Sequence, residues 1–177
     1  MSLERWDKYF LAFCKTAASN SRCLSRQIGA VIVRDKSVVS TGYNGPPRGV
    51  QQCASRWKKQ VSHFCLDHND HFTFSGEPKL LQEKCPRRIL GYKSGGGLEL
   101  CPAAHAEVDA ILFSQGDIRS STLYCNFSEI PCRECAKLIV NAGIKRIVLN
   151  SKPTVYPEKG VFGSQILEMC NVIIDFV

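Results

Sequence analysis

Apolar positions recur at helical intervals in the first stretch of the chain. Trp6, Tyr9, Phe10, Phe13, Cys14 and Ala17 fall three or four apart, so Leu3–Ala18 reads as an amphipathic helix with one buried face. The rhythm then changes to the β-rich runs "IGAVIV" and "SVVSTGY", separated by "RDK". Ile28–Val33 and Ser37–Tyr43 therefore read as two strands of a hairpin. The stretch "NGPPRG", starting at Asn44, breaks the chain with three kinds of turn former. Between Val50 and Leu100 no periodicity survives, and cysteine, histidine, proline and the run Gly95–Gly97 accumulate. A segment of that length without elements of its own is functional, disordered or cross-linked.

Order returns after Leu100. The pattern predicts helix Ala104–Phe113, strand Thr122–Asn126, helix Cys132–Asn141, strand Arg146–Asn150, a short helix Ser164–Met169 and strand Val172–Phe176. Strands alternating with helices predict parallel pairing through right-handed crossovers, hence an α/β fold. No internal repeat is visible. The 177 residues suit one domain, 1–177, carrying a Cys/His-rich insert at about 53–101.

Composition narrows the setting. The apolar fraction is 44%, and no apolar run approaches the roughly 18 residues of a membrane span, so no membrane partner is expected. "MSLERWDKYFLAFCK" mixes both signs of charge and lacks the order of a signal peptide, which makes the cytosol the expected compartment. In that reducing setting ten cysteines point to metal ligands or buried thiols more than to disulfides. The net charge of +7 suits a polyanion or a small phosphorylated substrate, and serves solubility equally well. The basic clusters "RWKK" and "PRRILGYK" read as solvated faces.

Two stretches carry chemistry. "ELCPAAHAEVDAIL" sets His105 and Glu107 two positions apart, where they do not share a helix face, and "SEIPCRECAKLIV" sets Cys132 and Cys135 one turn apart behind Pro131. Imidazole and thiolate are good zinc ligands, and His105, Cys132 and Cys135 make three, leaving the fourth position of a catalytic site for water. The two cysteines begin a helix, where unpaired N–H groups and the dipole favour thiolate. His105 begins another, and a βαβ arrangement brings both helix starts to one end of the sheet. Glu107 points away from the ligand direction. It can take the proton of the water and deliver it to an incoming ring and then to a leaving amine.

His-x-Glu followed by Pro-Cys-x-x-Cys is the signature of zinc deaminases, and "HAE" with "PCREC" matches it without a gap. The chain further resembles the deoxycytidylate (dCMP) deaminase family over nearly its whole length. That resemblance is carried by "CLSRQIGAVIV" from Cys23, "STGYNGPPRG" from Ser40 and "CAKLIVNAGIKRIV" from Cys135. It implies a cytidine deaminase-like fold, three layers α/β/α around a central mixed five-stranded sheet. It implies hydrolysis of dCMP to dUMP and ammonia, a step that supplies the thymidylate precursor. Asn44, in the Gly-Tyr-Asn-Gly turn, is implied to contact the deoxyribose. Arg26 is implied to hold the 5′-phosphate, since a guanidinium binds two oxygens at once. Tyr156 is implied to stack on the pyrimidine. Relatives are often hexamers, and many respond to dCTP and dTTP, so a homo-oligomer and those effectors are implied partners.

Several family members carry a second, structural zinc. Cys23, Cys53, Cys85 and Cys101 fall in the corresponding regions, with His63, Cys65, His68 and His71 as competing ligands. Two features differ from the common family pattern: "NFSEIPC" is a slightly longer approach to the cysteines, and the segment Cys53–Cys101 is long, although "CPRRILGYKSGGGLELCPAAHAE" resembles one subgroup. Two other readings stand beside this one. A polynucleotide deaminase would suit the basic charge, but the chain lacks a clear stacking platform of aromatic and basic residues, and no nucleic-acid partner is expected. A zinc-stabilised nucleotide-binding module would have no use for Glu107.

Overall fold

The computed structural model describes residues 3–53, 84–93, 96–98, 101–152 and 158–177. In chain order the elements are α1 (Leu3–Ala18), β1 (Gly29–Arg34), β2 (Ser37–Tyr43), α2 (Pro86–Ile89), α3 (Ala106–Leu112), β3 (Thr122–Cys125), α4 (Arg133–Asn141), β4 (Arg146–Leu149), α5 (Glu158–Met169) and β5 (Ile173–Phe176). They fall into two compact units. The first comprises Met1–Ser21, Gln27–Asn44 and Ala104–Val177; the second comprises Arg22–Arg26 and Gly45–Ala103.

The first unit is built on a five-stranded sheet of order β2-β1-β3-β4-β5. β1 pairs antiparallel with β2 and with β3, while β3, β4 and β5 run parallel. The parallel half is the one whose strands are joined through helices, as crossovers require. The hairpin closes through Asp35 and Lys36, both at positive φ (50° and 60°), the twist that a two-residue turn needs to match its strands.

Alternation along the strands sorts side chains to two faces. Val31, Val33, Tyr124 and Val148 face α1 and pack with Phe10, Leu11 and Cys14. Ala30, Ile32, Leu123, Cys125, Ile147 and Leu149 meet Ala106 and Ala110 of α3, Cys135, Ala136 and Ile139 of α4, and Leu167 of α5. The result is the mixed-sheet, three-layer architecture expected. Both faces of the central strands are covered, which is why β1, β3 and β4 are mainly apolar, with Arg34, Thr122 and Arg146 confined to their ends.

Glycines set how closely the elements approach, as Gly29 of β1 does against the backbone of Cys14 and Ala18 in α1. A Cβ at Gly42 of β2 would run into the backbone of Ala106 and Ala110, so α3 lies directly on that strand. A Cβ at Gly163 would collide with the Pro131 carbonyl. α5 starts at Glu158 and not at Ser164, so Gly163 lies inside the helix. Glycine interrupts the apolar rhythm and lowers helix propensity, which is why the sequence pattern begins this helix only after Gly163.

In the second unit α2 begins after Cys85, with Pro86 in its first turn. Arg88 donates from Nε and Nη2 to Ser25 Oγ, both at 3.1 Å, and from Nη1 to the Tyr92 carbonyl at 2.9 Å. Ser25 N–H donates to Cys23 Sγ at 3.4 Å.

Candidate metal centre

Each stretch that carries chemistry spans a helix start. His105 is the N-cap of α3 (φ −78°, ψ 153°) and Cys132 the N-cap of α4 (φ −64°, ψ 164°). Both residues were expected inside their helices. An extended residue just outside the first turn lets its side chain reach around the helix end, where N–H groups have no intrahelical partner. Cys135, one turn into α4, is buried beside them.

The helices are pinned from several directions. Ser40 Oγ donates to the Ala110 carbonyl at 2.6 Å, and Tyr43 N–H donates to Asp109 Oδ2 at 3.0 Å, tying α3 to the end of β2. Asp109 escaped the sequence reading because an acidic residue in a first helical turn has an ordinary explanation in the helix dipole. Asn126, just after β3, accepts the Gly29 N–H on Oδ1 at 2.8 Å and clamps the start of β1. Nothing in its own neighbourhood of the sequence announces a partner that lies 97 positions away.

His105 Nδ1 lies 3.3 Å from Cys135 Sγ and 3.5 Å from Cys132 Sγ. A tetrahedral zinc with Zn–N of 2.0–2.1 Å and Zn–S near 2.3 Å sets such nitrogen and sulfur ligands about 3.5 Å apart. The three donors therefore fit that ion. Among the described residues they are the only set of three or more His, Cys, Asp or Glu ligand atoms within 4.8 Å of one another.

Electrostatics divides the cluster. The Cys132 thiol is pulled down to about 4, chiefly by a hydrogen bond from Cys135, against the effect of burial and with help from His105. The Cys135 thiol is pushed up as the donor of that bond, and burial and the Glu107 charge add to the rise. One thiolate is thus ready at neutral pH, and a cation between the sulfurs would draw off the second proton. Glu107 is only 4% exposed. Burial raises its carboxyl pKa, with His105 opposing. A buried carboxyl with a raised pKa holds a proton more readily than an exposed one, which suits a group that takes up and returns protons.

Asn44 is buried in the first unit, with Oδ1 accepting the Ile28 N–H at 2.8 Å. Arg26 is exposed and belongs to the second unit. Tyr156, His63, Cys65, His68 and His71 lie outside the described residues. Cys23, Cys53, Cys85 and Cys101 all belong to the second unit, where no three of their sulfurs come within 4.8 Å of one another.

The profile of the family described as "Cytidine and deoxycytidylate deaminase zinc-binding region" matches residues 4–151. A deoxycytidylate deaminase of Mycobacterium phage D29 is 34% identical over 154 residues, covering 84% of this chain and 96% of the phage protein. The deoxycytidylate deaminase of Saccharomyces cerevisiae is also 34% identical, over 145 residues; this chain spans 81% of its own length there and 36% of the yeast protein. The fold matches the crystal structure of a dCMP deaminase from the cyanophage S-TIM5 in complex with dCMP and dUMP. The TM-score is 0.62 at 20% identity, over 100% of this chain and 99% of that one.

Proposed function

This chain belongs to the cytidine and deoxycytidylate deaminase zinc-binding family, and from that premise we propose that it hydrolyses dCMP to dUMP and ammonia. The observation that carries the reading is the convergence of His105, Cys132 and Cys135 beside a buried glutamate. The relatives named deoxycytidylate deaminase, from a phage and from yeast, support the choice of substrate.

His105 Nδ1 and the sulfurs of Cys132 and Cys135 would hold zinc, which when bound supplies the Lewis acidity that makes water a nucleophile near neutral pH. Glu107 then manages the protons. Its carboxylate oxygen accepts one from the attacking water, delivers it to the ring nitrogen next to the amino-bearing carbon, and later passes a proton to the departing amine. Across the cycle one water is consumed, a C–O bond replaces the C–N bond, and ammonia leaves. Burial of Glu107 keeps solvent from short-circuiting these transfers.

Asn44 binds the deoxyribose, Arg26 the 5′-phosphate, and Tyr156 stacks on the base. A second zinc would be held by Cys23, Cys53, Cys85 and Cys101, whose sulfurs the ion would draw together on binding, giving order to a segment with little apolar periodicity. The chain acts as one deaminase domain with an insert, in a cytoplasmic homo-oligomer of hexameric type that responds to dCTP and dTTP. A panel of cytosine substrates, comprising dCMP, dCTP, deoxycytidine and a cytosine-containing oligonucleotide, tests the reading by ultraviolet change and ammonia release. Turnover is expected to be fastest on dCMP. A preference for the oligonucleotide would overturn it. Metal analysis is expected to find more than one zinc per chain, falling when Cys53 and Cys101 are changed to serine.

A further inference from the structure

Asn44 is held by more partners than a turn asparagine needs. Its Oδ1 accepts two hydrogen bonds, from the Ile28 N–H at 2.8 Å and from the Ser21 hydroxyl at 2.8 Å. Its main-chain carbonyl lies 2.7 Å from the same hydroxyl, and its N–H donates to the Ile28 carbonyl at 3.0 Å. Ser21 is itself anchored. It is 1% exposed, its N–H donates to the Ala18 carbonyl at 2.9 Å, and its carbonyl accepts Gln27 Nε2 at 2.8 Å.

These contacts decide an orientation. A backbone N–H only donates, so the Ile28 contact determines which end of the planar Asn44 carboxamide is oxygen, and Nδ2 must lie on the other side. The Ser21 hydroxyl has one proton and two acceptors on the same residue, one on the side chain and one on the main chain. Bridging them ties the side-chain torsions of Asn44 to its own backbone a second time, beside the tie through Ile28, whose N–H and carbonyl meet Oδ1 and the N–H of the same residue. The bridge is buried, so water does not compete for it.

The geometry points to Ser21 as a positioning residue that holds the Asn44 carboxamide with its Nδ2 donors set for an oxygen of the substrate's sugar. This rests on the reading of Asn44 as the sugar contact. Ser21 closes the chain leaving α1, 23 positions before Asn44, and its hydroxyl meets that residue at both Oδ1 and the main-chain carbonyl.

The test uses the full chain with Ser21→Ala, Ser21→Thr, Asn44→Ala and the double variant. Steady-state kinetics on dCMP are read beside the Asn44 side-chain amide signals in a nitrogen-15 spectrum. Ser21→Ala is expected to lower kcat/KM about three- to tenfold, the effect of one buried hydrogen bond, and Ser21→Thr, which keeps the hydroxyl, to recover most of it. In the Asn44→Ala background the same change is expected to cost less than about twofold, because coupled residues do not add. The Asn44 amide pair should shift or broaden while zinc content and melting temperature hold. Additive losses, or an unmoved amide pair, would overturn the assignment. If the unmodified protein fails to turn over dCMP, the proposed function falls while the amide spectrum still decides the role of Ser21. Should Ser21→Ala not fold, Ser21→Cys, with similar volume and a weaker donor, takes its place.

Discussion

Two clusters of titratable side chains sit against opposite faces of the same sheet, and both have strongly moved pKa values. On the α1 face, Arg146 donates to both oxygens of Asp7 at 2.8 and 2.7 Å and to Asp175 at 2.7 Å, while the Tyr124 hydroxyl donates to Asp7 at 2.8 Å. Burial pushes the Asp7 carboxyl up, but the bonds from Arg146 and Tyr124 together outweigh it and hold the group below its ordinary value. Arg146 moves up in turn, mainly through its bonds to Asp7. Tyr124 also moves up, through burial first and Asp7 second. On the other face burial wins at Glu107, and two thiols compete for one proton.

The difference lies in balance. In the Asp7 network the buried carboxylate is fully paired, with Arg146 on both of its oxygens and the Tyr124 hydroxyl donating to one, while the guanidinium also reaches the partly exposed Asp175. The Glu107 cluster holds three acidic groups and one imidazole, a set that calls for a divalent cation. A displaced pKa alone marks neither a structural nor a chemical site; the unmatched charge does.

That contrast can be broken from either side. The largest effect is expected on stripping zinc with a chelator, which should abolish turnover, with added zinc restoring it. Full activity in zinc-free protein would remove the premise of the comparison. Glu107→Gln comes next. It should cut kcat on dCMP about a hundred- to ten-thousandfold, the range for a lost proton shuttle, with zinc content and melting temperature kept, since a neutral amide is easier to bury than a carboxylate.

On the opposite face the signs reverse. Arg146→Met leaves Asp7 buried without its partner and should cost about 3–5 kcal/mol of stability, read from urea unfolding, with kcat of the folded fraction unchanged. Adding Asp7→Leu should recover much of that loss, because removing both charges also removes the penalty of burying one. A fall in kcat beyond the unfolded fraction would show that the two faces are coupled.

The smallest effect is one of pH. The folded Asp7 carboxyl titrates below its unfolded value of about 3.9, so it contributes stability above that pH and loses it as the pH falls through the folded value. Urea midpoints of the native protein and of Asp7→Asn should therefore converge below about pH 4. A gap that stays constant down to acid would mean that the Asp7 charge adds nothing to the fold.

Much of this molecule was determined locally. The helical spacing of Phe10, Cys14 and Ala17, the alternation in "GAVIV", the turn at Asp35–Lys36 and the two ligand motifs each depend on neighbours within a few positions, and physical rules at that range are legible in a sequence. His105, Cys132, Cys135 and Glu107 were named from such spacing, and the fold brings the three ligand atoms together. What only tertiary structure decided depends on partners far along the chain. The close seat of Gly163 on Pro131 and the orientation of Asn44 against Ser21 and Ile28 are of this kind. The ion pair of Asp7 with Arg146 spans 139 positions. No local pattern encodes such contacts, because a hydroxyl, a carboxylate or a missing Cβ looks the same in sequence whether it faces solvent or completes a buried network. Its energy appears only once the chain has closed around it.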